Sequence, residues 1–210
     1  MNIIFDFDGV ILNSHKIKTI AFYEIFRNYG KVAASKAKNY HLKNIGKSRY
    51  FKFKYILKNI LKIEINSKLL LSLDKKFDGY FNKEIRKMMP SNYLLKFLKN
   101  KNKSTNFFIS TGTPEKKIIK ILKEKQLLKY FKKVYGSPKS KIYHIKDIKK
   151  KYDKIVFIGD SYEDFKAAKE TNTHFILKLN SENYLMRKKL NINKINSFKY
   201  LNKKIAKFLV

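Results

Sequence analysis

Cysteine is absent from the 210 residues, so neither a disulfide framework nor a thiolate metal site can form. Proline occurs three times and glycine seven, with no Pro- or Gly-rich linker, low-complexity segment or internal repeat. No apolar run approaches the ~20 residues that a membrane span requires. The opening Met-Asn-Ile-Ile-Phe-Asp also lacks the basic start and long apolar centre of a secretion signal. The expectation is a cytoplasmic protein. Acidic side chains are few, 16 against 49 basic ones, which gives a formal net charge of +33. Arginine is scarcer still: it supplies four of the basic residues and lysine 45. Base reading and bidentate phosphate contacts favour arginine. The charge is also spread along the chain, with 19 basic and 5 acidic residues over positions 15–90 and 30 and 11 over the rest. Short runs such as Lys149-Lys150-Lys151 and Arg187-Lys188-Lys189 are the densest clusters. Abundant lysine, asparagine and isoleucine are what an AT-rich coding sequence produces. The charge therefore implies loose, non-specific attraction to polyanions and no specific nucleic-acid partner.

What is present is enough for a core: 44% hydrophobic residues, 15% aromatic. The length suits one domain, or a core with an inserted module. The chain is organised around Ile3 to Ser14, IIFDFDGVILNS. Ile3, Ile4 and Phe5 are too few for a helix and read as a strand buried on both faces. That strand ends on Asp6-Phe7-Asp8-Gly9. Residues two apart in an extended segment point the same way, which would put Asp6 and Asp8 on one side. Carboxylates that close repel unless a cation or shared proton intervenes, and Gly9 permits a sharp turn. Two aspartates beside a glycine also make an ordinary polar turn. A buried strand ending on two unpaired acids would, however, be costly without return.

From His15 onwards apolar residues recur at helical spacing: Ile17, Ile20, Ala21 and Phe26 up to Tyr29-Gly30; Phe53, Ile56, Leu57 and Ile60 between Ser48 and about Lys62; Leu70, Leu73, Phe77, Phe81 and Ile85 between Ser67 and about Lys87. Ser67 reads as an N-cap, and Pro90 closes an all-helical stretch. Helix and strand then alternate. A helix around Leu94 and Leu98 leads to a strand, Asn106–Ile109. A helix from Lys116 to Lys125 leads to the short strand Val134-Tyr135. A helix from Ile142 to Lys150 precedes the strand Ile155–Ile158. A helix from Glu163 to Glu170 precedes a last strand, His174–Leu179, and Phe198, Leu201, Ile205 and Phe208 mark a closing helix. This rhythm predicts a doubly wound, Rossmann-like parallel sheet of the α/β class, residues 1–14 and 91–210, with an all-helical insertion at 15–90.

Four strand ends carry chemistry. The first holds Asp6 and Asp8. The second holds Ser110 and Thr111, followed by Gly112 and by Pro114 at the mouth of a helix, whose free N–H groups suit an anion. The third, Gly136-Ser137-Pro138, offers Lys139 or Lys141 as a point positive charge. The fourth, Gly159-Asp160-Ser161-Tyr162-Glu163-Asp164, is a glycine turn with three acids. Parallel strands bring such ends to one crevice. The inventory is carboxylates for Mg²⁺, a hydroxyl and a lysine for phosphate, and a carboxylate nucleophile.

DFDGV, ISTGT, the lysine after GSP and GDSYED, in that order, resemble the haloacid dehalogenase-like (HAD) hydrolase superfamily over nearly the whole chain. The resemblance implies that Asp6 is the nucleophile that becomes an aspartyl phosphate. It implies that Asp8 is general acid and then base. Mg²⁺ would be held by Asp6, Asp160 and the Asp8 carbonyl, with Asp164 in support. Thr111 would bind the phosphoryl group, in preference to Ser110, because family members place a hydroxyl directly before Gly-Thr-Pro. Lys141, which matches a Gly-Ser-Pro-x-x-Lys pattern better than Lys139, would neutralise charge. A carboxylate at Asp8 argues for phosphate chemistry over the dehalogenase and ATPase branches. Residues 15–90 occupy the slot of the C1 cap, a lid that excludes water and selects a small soluble phosphomonoester. Asn13 stands where an aspartate is common. The implied protein is a Mg²⁺-dependent phosphatase acting on a small phosphorylated metabolite such as a sugar phosphate or a phosphoglycolate-like acid, as monomer or dimer. The alternatives are a phosphomutase of the β-phosphoglucomutase type and a non-catalytic basic binding protein on the same scaffold.

In the helical stretch, Arg49 can clamp a second anionic group of the substrate or be a solvated helix end. His15 and His41 can touch substrate or simply pack. The aromatic residues Phe51, Phe53, Tyr55, Phe77, Tyr80 and Phe81 read as the core of that stretch rather than as a stacking platform.

Overall fold

The computed structural model describes residues 1–206 and Phe208. The chain divides into two compact units, Met1–Asn13 with Met89–Val210, and Ser14–Met88. The first carries six strands: β1 (Asn2–Phe5), β2 (Asn106–Pro114), β3 (Lys133–Ser137), β4 (Ile155–Gly159), β5 (His174–Lys178) and β6 (Asn193–Ile195). They form one sheet in the order β3-β2-β1-β4-β5-β6. Every pairing is parallel. This is the doubly wound α/β core read from the alternation of elements, and its strand order is the Rossmann one. From β1 the chain winds outward through β2 and β3, then returns to the other flank of β1 and winds outward through β4, β5 and β6. The winding direction therefore reverses beside β1.

Ile3, Ile4 and Phe5 are fully buried, as a central strand covered on both faces requires. The Phe5 ring meets Phe107 edge-on at 5.4 Å and Phe131 at 6.1 Å. Burying an aromatic of this kind contributes roughly 2–3 kcal/mol. The register then fixes where the chemistry falls. Phe5 pairs with Ile109 on one side and with Ile158 on the other. Asp6, Ser110 and Gly159 are consequently the next residues along three adjacent strands. The Asp6 N–H still donates to the Ile158 carbonyl, at 2.9 Å.

Three local readings need correction. His174–Lys178 is not the last strand, because Asn193–Ile195 adds β6 beside it. Three residues reading Asn-Lys-Ile are too short and too polar to show a period. β2 runs on through Ser110 to Pro114, with a register shift against β3 over that span. In the helical unit the N-cap is Asn66, whose side chain accepts the Leu69 N–H at 2.8 Å, so Ser67 is the first helical residue. Asparagine caps as well as serine, and sequence alone does not rank neighbours.

The helical unit is built from His15–Phe26, Lys31–Lys43, Arg49–Tyr55 continuing as a π-helical turn to Leu61, and Ser67–Ile85. Its core is aromatic: Phe22, Phe26, Phe53, Phe77 and Phe81 are buried, with Phe22 edge-on to Phe77 at 5.4 Å. Phe51, Tyr55 and Tyr80 are exposed instead, so only half of the aromatic set read as core packs there. Arg49 is no solvated helix end. It is 6% exposed, lies 2.6 Å from Asp78 and 3.2 Å from Asp74, and stacks over the Phe77 ring. His41 is buried with Nδ1 3.1 Å from Lys52 Nζ. Burial, then Lys52, Lys18 and His15, push its pKa well below the usual value. The ring is thus neutral and accepts at Nδ1.

Candidate active site

The turn after β1 is made by its own backbone. Gly9 has φ +80°, a left-handed value that a side chain would strain. Its N–H donates to Leu12 at 2.7 Å, and the N–H groups of Ile11 and Leu12 both return to the Phe7 carbonyl. β1 stops at Phe5, so Asp6 and Asp8 belong to this turn and their side chains find different partners. Asp6 Oδ1 accepts the Phe7 N–H at 2.8 Å and lies 3.1 Å from Lys141 Nζ. Asp8 Oδ2 accepts from Thr113 Oγ1 at 3.1 Å.

On β2, Ser110 and Thr111 are both fully buried. Ser110 Oγ is hydrogen-bonded to His144 Nδ1 at 2.9 Å. Thr111 Oγ1 accepts the Thr113 N–H at 3.2 Å, which bends the strand end around the hydroxyl. Gly112 lies between them, half-buried. After β3 the two candidate lysines part. Lys139 is exposed and donates to the Tyr143 hydroxyl at 2.7 Å. Lys141, the first residue of the helix Lys141–Lys149, is buried and its ammonium bridges Asp6 and Asp164.

At the end of β4, Asp164 folds back over Gly159. A Cβ at position 159 would lie 2.3 Å from the Asp164 Cβ, so only glycine allows this approach. Asp164 Oδ2 accepts the N–H groups of Asp160 at 3.2 Å and Ser161 at 3.0 Å and the Ser161 hydroxyl at 2.6 Å. Ser161 in turn caps the helix Tyr162–Glu170 in a reciprocal capping box. Asp164 is thus the structural knot of this loop as well as an acid in the site.

Asp6, Asp160 and Asp164 each present a carboxylate oxygen within 4.8 Å of the others, and all three are buried. One lysine does not balance them. Burial, then Asp164, then Asp160 and Asp8 raise the Asp6 pKa well above the usual carboxylate range, against the pull of Lys141. For Lys141, burial alone would lower the pKa; Asp164 and Asp6 outweigh it, and the ammonium keeps its proton more tightly than a free lysine. A buried, all-oxygen group with surplus negative charge suits a hard divalent cation such as Mg²⁺. These residues fit that ion.

Around this centre the structure gathers Asp6, Asp8, Ser110, Thr111, Lys141, Asp160 and Asp164 on strand ends of one sheet, whereas Arg49 lies in the other unit, held by Asp74 and Asp78. The sequence reading missed Thr113, His144, Asn180 and Asn183. Thr113 lies inside the quoted Thr-Gly-Thr-Pro stretch, while the other three carry no local signal. Asn180 Nδ2 donates to Asp160 Oδ2 at 2.5 Å, and Asn183 Nδ2 to the Asp160 carbonyl at 3.0 Å.

No curated protein matches the sequence. Many solved structures share the fold. One is a β-phosphoglucomutase from Clostridium difficile, 18% identical, covering 99% of this chain and 98% of that one with a TM-score of 0.75. Another is a predicted phosphoglycolate phosphatase from Haemophilus somnus, 17% identical, 96% of each chain, TM-score 0.71. A third, from Bacillus subtilis, is assigned to the HAD hydrolases and bound to magnesium: 14% identical, 98% of each chain, TM-score 0.69. The family model described as haloacid dehalogenase-like hydrolase matches residues 3–178. That span runs from the second residue of β1 to the end of β5, and the chain belongs to the haloacid dehalogenase-like hydrolases.

Proposed function

We propose that this hydrolase is a Mg²⁺-dependent phosphatase of small phosphomonoesters that works through an aspartyl phosphate on Asp6. The observation that carries the reading is the buried grouping of Asp6, Asp160 and Asp164 with Lys141 Nζ 3.1 Å from Asp6. Mg²⁺ held by Asp6, Asp160 and the Asp8 carbonyl would neutralise charge between the nucleophile and an anionic substrate.

The chain's own groups do the rest. The Phe7 N–H and Lys141 hold Asp6 Oδ1 and fix the carboxylate's rotation. Oδ2 is then the oxygen presented to phosphorus. Lys141 and the Thr111 hydroxyl, with the backbone at Gly112, receive the phosphoryl oxygens and favour the charge that spreads over them during transfer. Asp8, steadied by Thr113, gives a proton to the leaving ester oxygen as its bond to phosphorus breaks. It then takes a proton from the water that attacks the aspartyl phosphate, releasing phosphate and restoring Asp6. Ser110, bonded to His144, shapes the strand end rather than touching substrate. Asp164 orients Lys141 and the β4 loop. The helical unit Ser14–Met88 acts as the cap that selects among small esters. Arg49 is committed to Asp74 and Asp78 and is left out of the substrate contacts.

The shared fold with a β-phosphoglucomutase supports a phosphomutase as the second reading, since it would use the same carboxylates. A screen of phosphorylated metabolites, following both free phosphate and isomerised ester, separates the two. Phosphate release with Mg²⁺ and none in excess chelator is expected. Full activity in chelator, or isomerisation without phosphate release, would contradict the proposal.

A further inference from the structure

The turn after β5 reaches back to the metal site. β5 lies beside β4 with Leu177 paired to Gly159, so the residues that follow each strand are neighbours. Asn180 opens a short 3₁₀ turn, Ser181–Asn183. Its Oδ1 accepts the N–H groups of Glu182 at 2.9 Å and Asn183 at 3.1 Å. Its own N–H donates to Asn183 Oδ1 at 3.1 Å. With Oδ1 committed, the other end of the amide is necessarily Nδ2, a donor, and it lies 2.5 Å from Asp160 Oδ2. Asn183, itself buried, uses Nδ2 to tie the Asp160 carbonyl at 3.0 Å to the Lys178 carbonyl at 2.7 Å. Two asparagines therefore hold one acid at two points, its carboxylate and its backbone.

We propose that Asn180 is a positioning residue for the divalent cation, with Asn183 as its brace. Losing the Asn180 amide removes one of the contacts that hold the Asp160 carboxylate towards its anionic neighbours Asp6 and Asp164, and binding has to supply that orientation instead. With the donor in place, the ligand geometry exists before the ion arrives. The inference rests on the reading of Asp6 and Asp160 as the ligands. Partners of this outer kind are typically worth about 10–100-fold in metal affinity.

The test separates positioning from mere capping. Asn180→Ser keeps an oxygen that caps the turn but cannot reach Asp160, and Asn180→Thr is a second variant of the same design. Mg²⁺ is titrated calorimetrically into chelator-treated, metal-free protein: wild type, both Asn180 variants and Asp160→Ala. Melting temperatures of the metal-free proteins are recorded alongside. The Asn180 variants are expected to melt with the wild type and to bind Mg²⁺ about 10–100-fold more weakly. Affinity within about twofold of wild type in both variants would overturn the inference while leaving the site intact. No binding by the wild type, or undiminished binding by Asp160→Ala, would overturn the reading of the site itself.

Discussion

Asp6 is held where an anion is least at ease, fully enclosed and facing Asp164, with Lys141 as its nearby counter-charge. The burial of this proposed nucleophile is a cost to the metal-free fold. A group whose folded pKa is raised loses protons less readily in the native than in the unfolded chain, so its ionisation destabilises the fold above the unfolded value near 4. Asp6→Asn removes that ionisation. The substituted protein should unfold at higher urea than the wild type at pH 7 in chelator, even though it is inactive; a lower midpoint would contradict the electrostatic account. His144 works in the opposite direction along the pH axis. Burial and then Lys141 lower its pKa to about 4, so the native ring stays neutral while the unfolded one charges near 6.5. Stability from this residue is fully present above about pH 6.5 and is lost as pH falls towards 4, by up to about 3 kcal/mol. The carboxylates titrate over part of the same range, so the comparison is with His144→Gln. Its stability should fall less steeply between pH 6.5 and 4.5 than that of the wild type, and parallel slopes would sink the assignment.

At the scale of elements, the sheet was legible because each central strand announces itself twice, by an apolar run and by the polar residues that end it. Ile3-Ile4-Phe5 before Asp6 and Ile155–Ile158 before Gly159-Asp160 are of this kind. The residues alone left Lys139 and Lys141 open, and only the family resemblance favoured Lys141, whose ammonium the structure places between Asp6 and Asp164. β6 and the Asn180–Asn183 turn were not legible. Their residues are few and polar: β6 is defined only by its pairing with β5, and the turn by hydrogen bonds to Asp160 some twenty positions away in sequence. The Arg49 ion pairs were hidden for the same reason, since their partners Asp74 and Asp78 lie 25 and 29 positions further along the chain, both on one later helix. The Gly159 approach illustrates how an element end is specified by one absent atom. Gly159→Ala would drive a methyl group into Asp164 and displace it from Ser161 and Lys141. We expect a loss of about 1–3 kcal/mol in stability and of about 10–100-fold in turnover, as misplaced catalytic groups cause. Wild-type turnover in this variant would show that the Asp164 knot is dispensable.

Over the whole molecule the charge of +33 and the acidic site stand apart. The site's surplus negative charge is enclosed within the sheet unit, while the lysines are distributed over both units. Exposed charges are screened by salt and buried ones much less. DNA or RNA should therefore bind weakly, without sequence preference, and lose affinity steeply as salt rises. Release of phosphate from a small ester should change by no more than about twofold over the same range. Tight, sequence-selective binding at physiological salt, or stimulation of turnover by nucleic acid, would make the basic surface part of the function. In the proposed reaction Asp6 carries the phosphoryl group, and that intermediate can be caught. The enzyme is mixed with a turned-over phosphomonoester and Mg²⁺, quenched in acid within the first turnover, and its peptides are weighed by mass spectrometry. One added phosphoryl group is expected on the peptide containing Asp6 in the wild type and none in Asp6→Asn; a phosphoryl group on any other residue, or phosphate release by Asp6→Asn at the wild-type rate, would rule out Asp6 as its carrier.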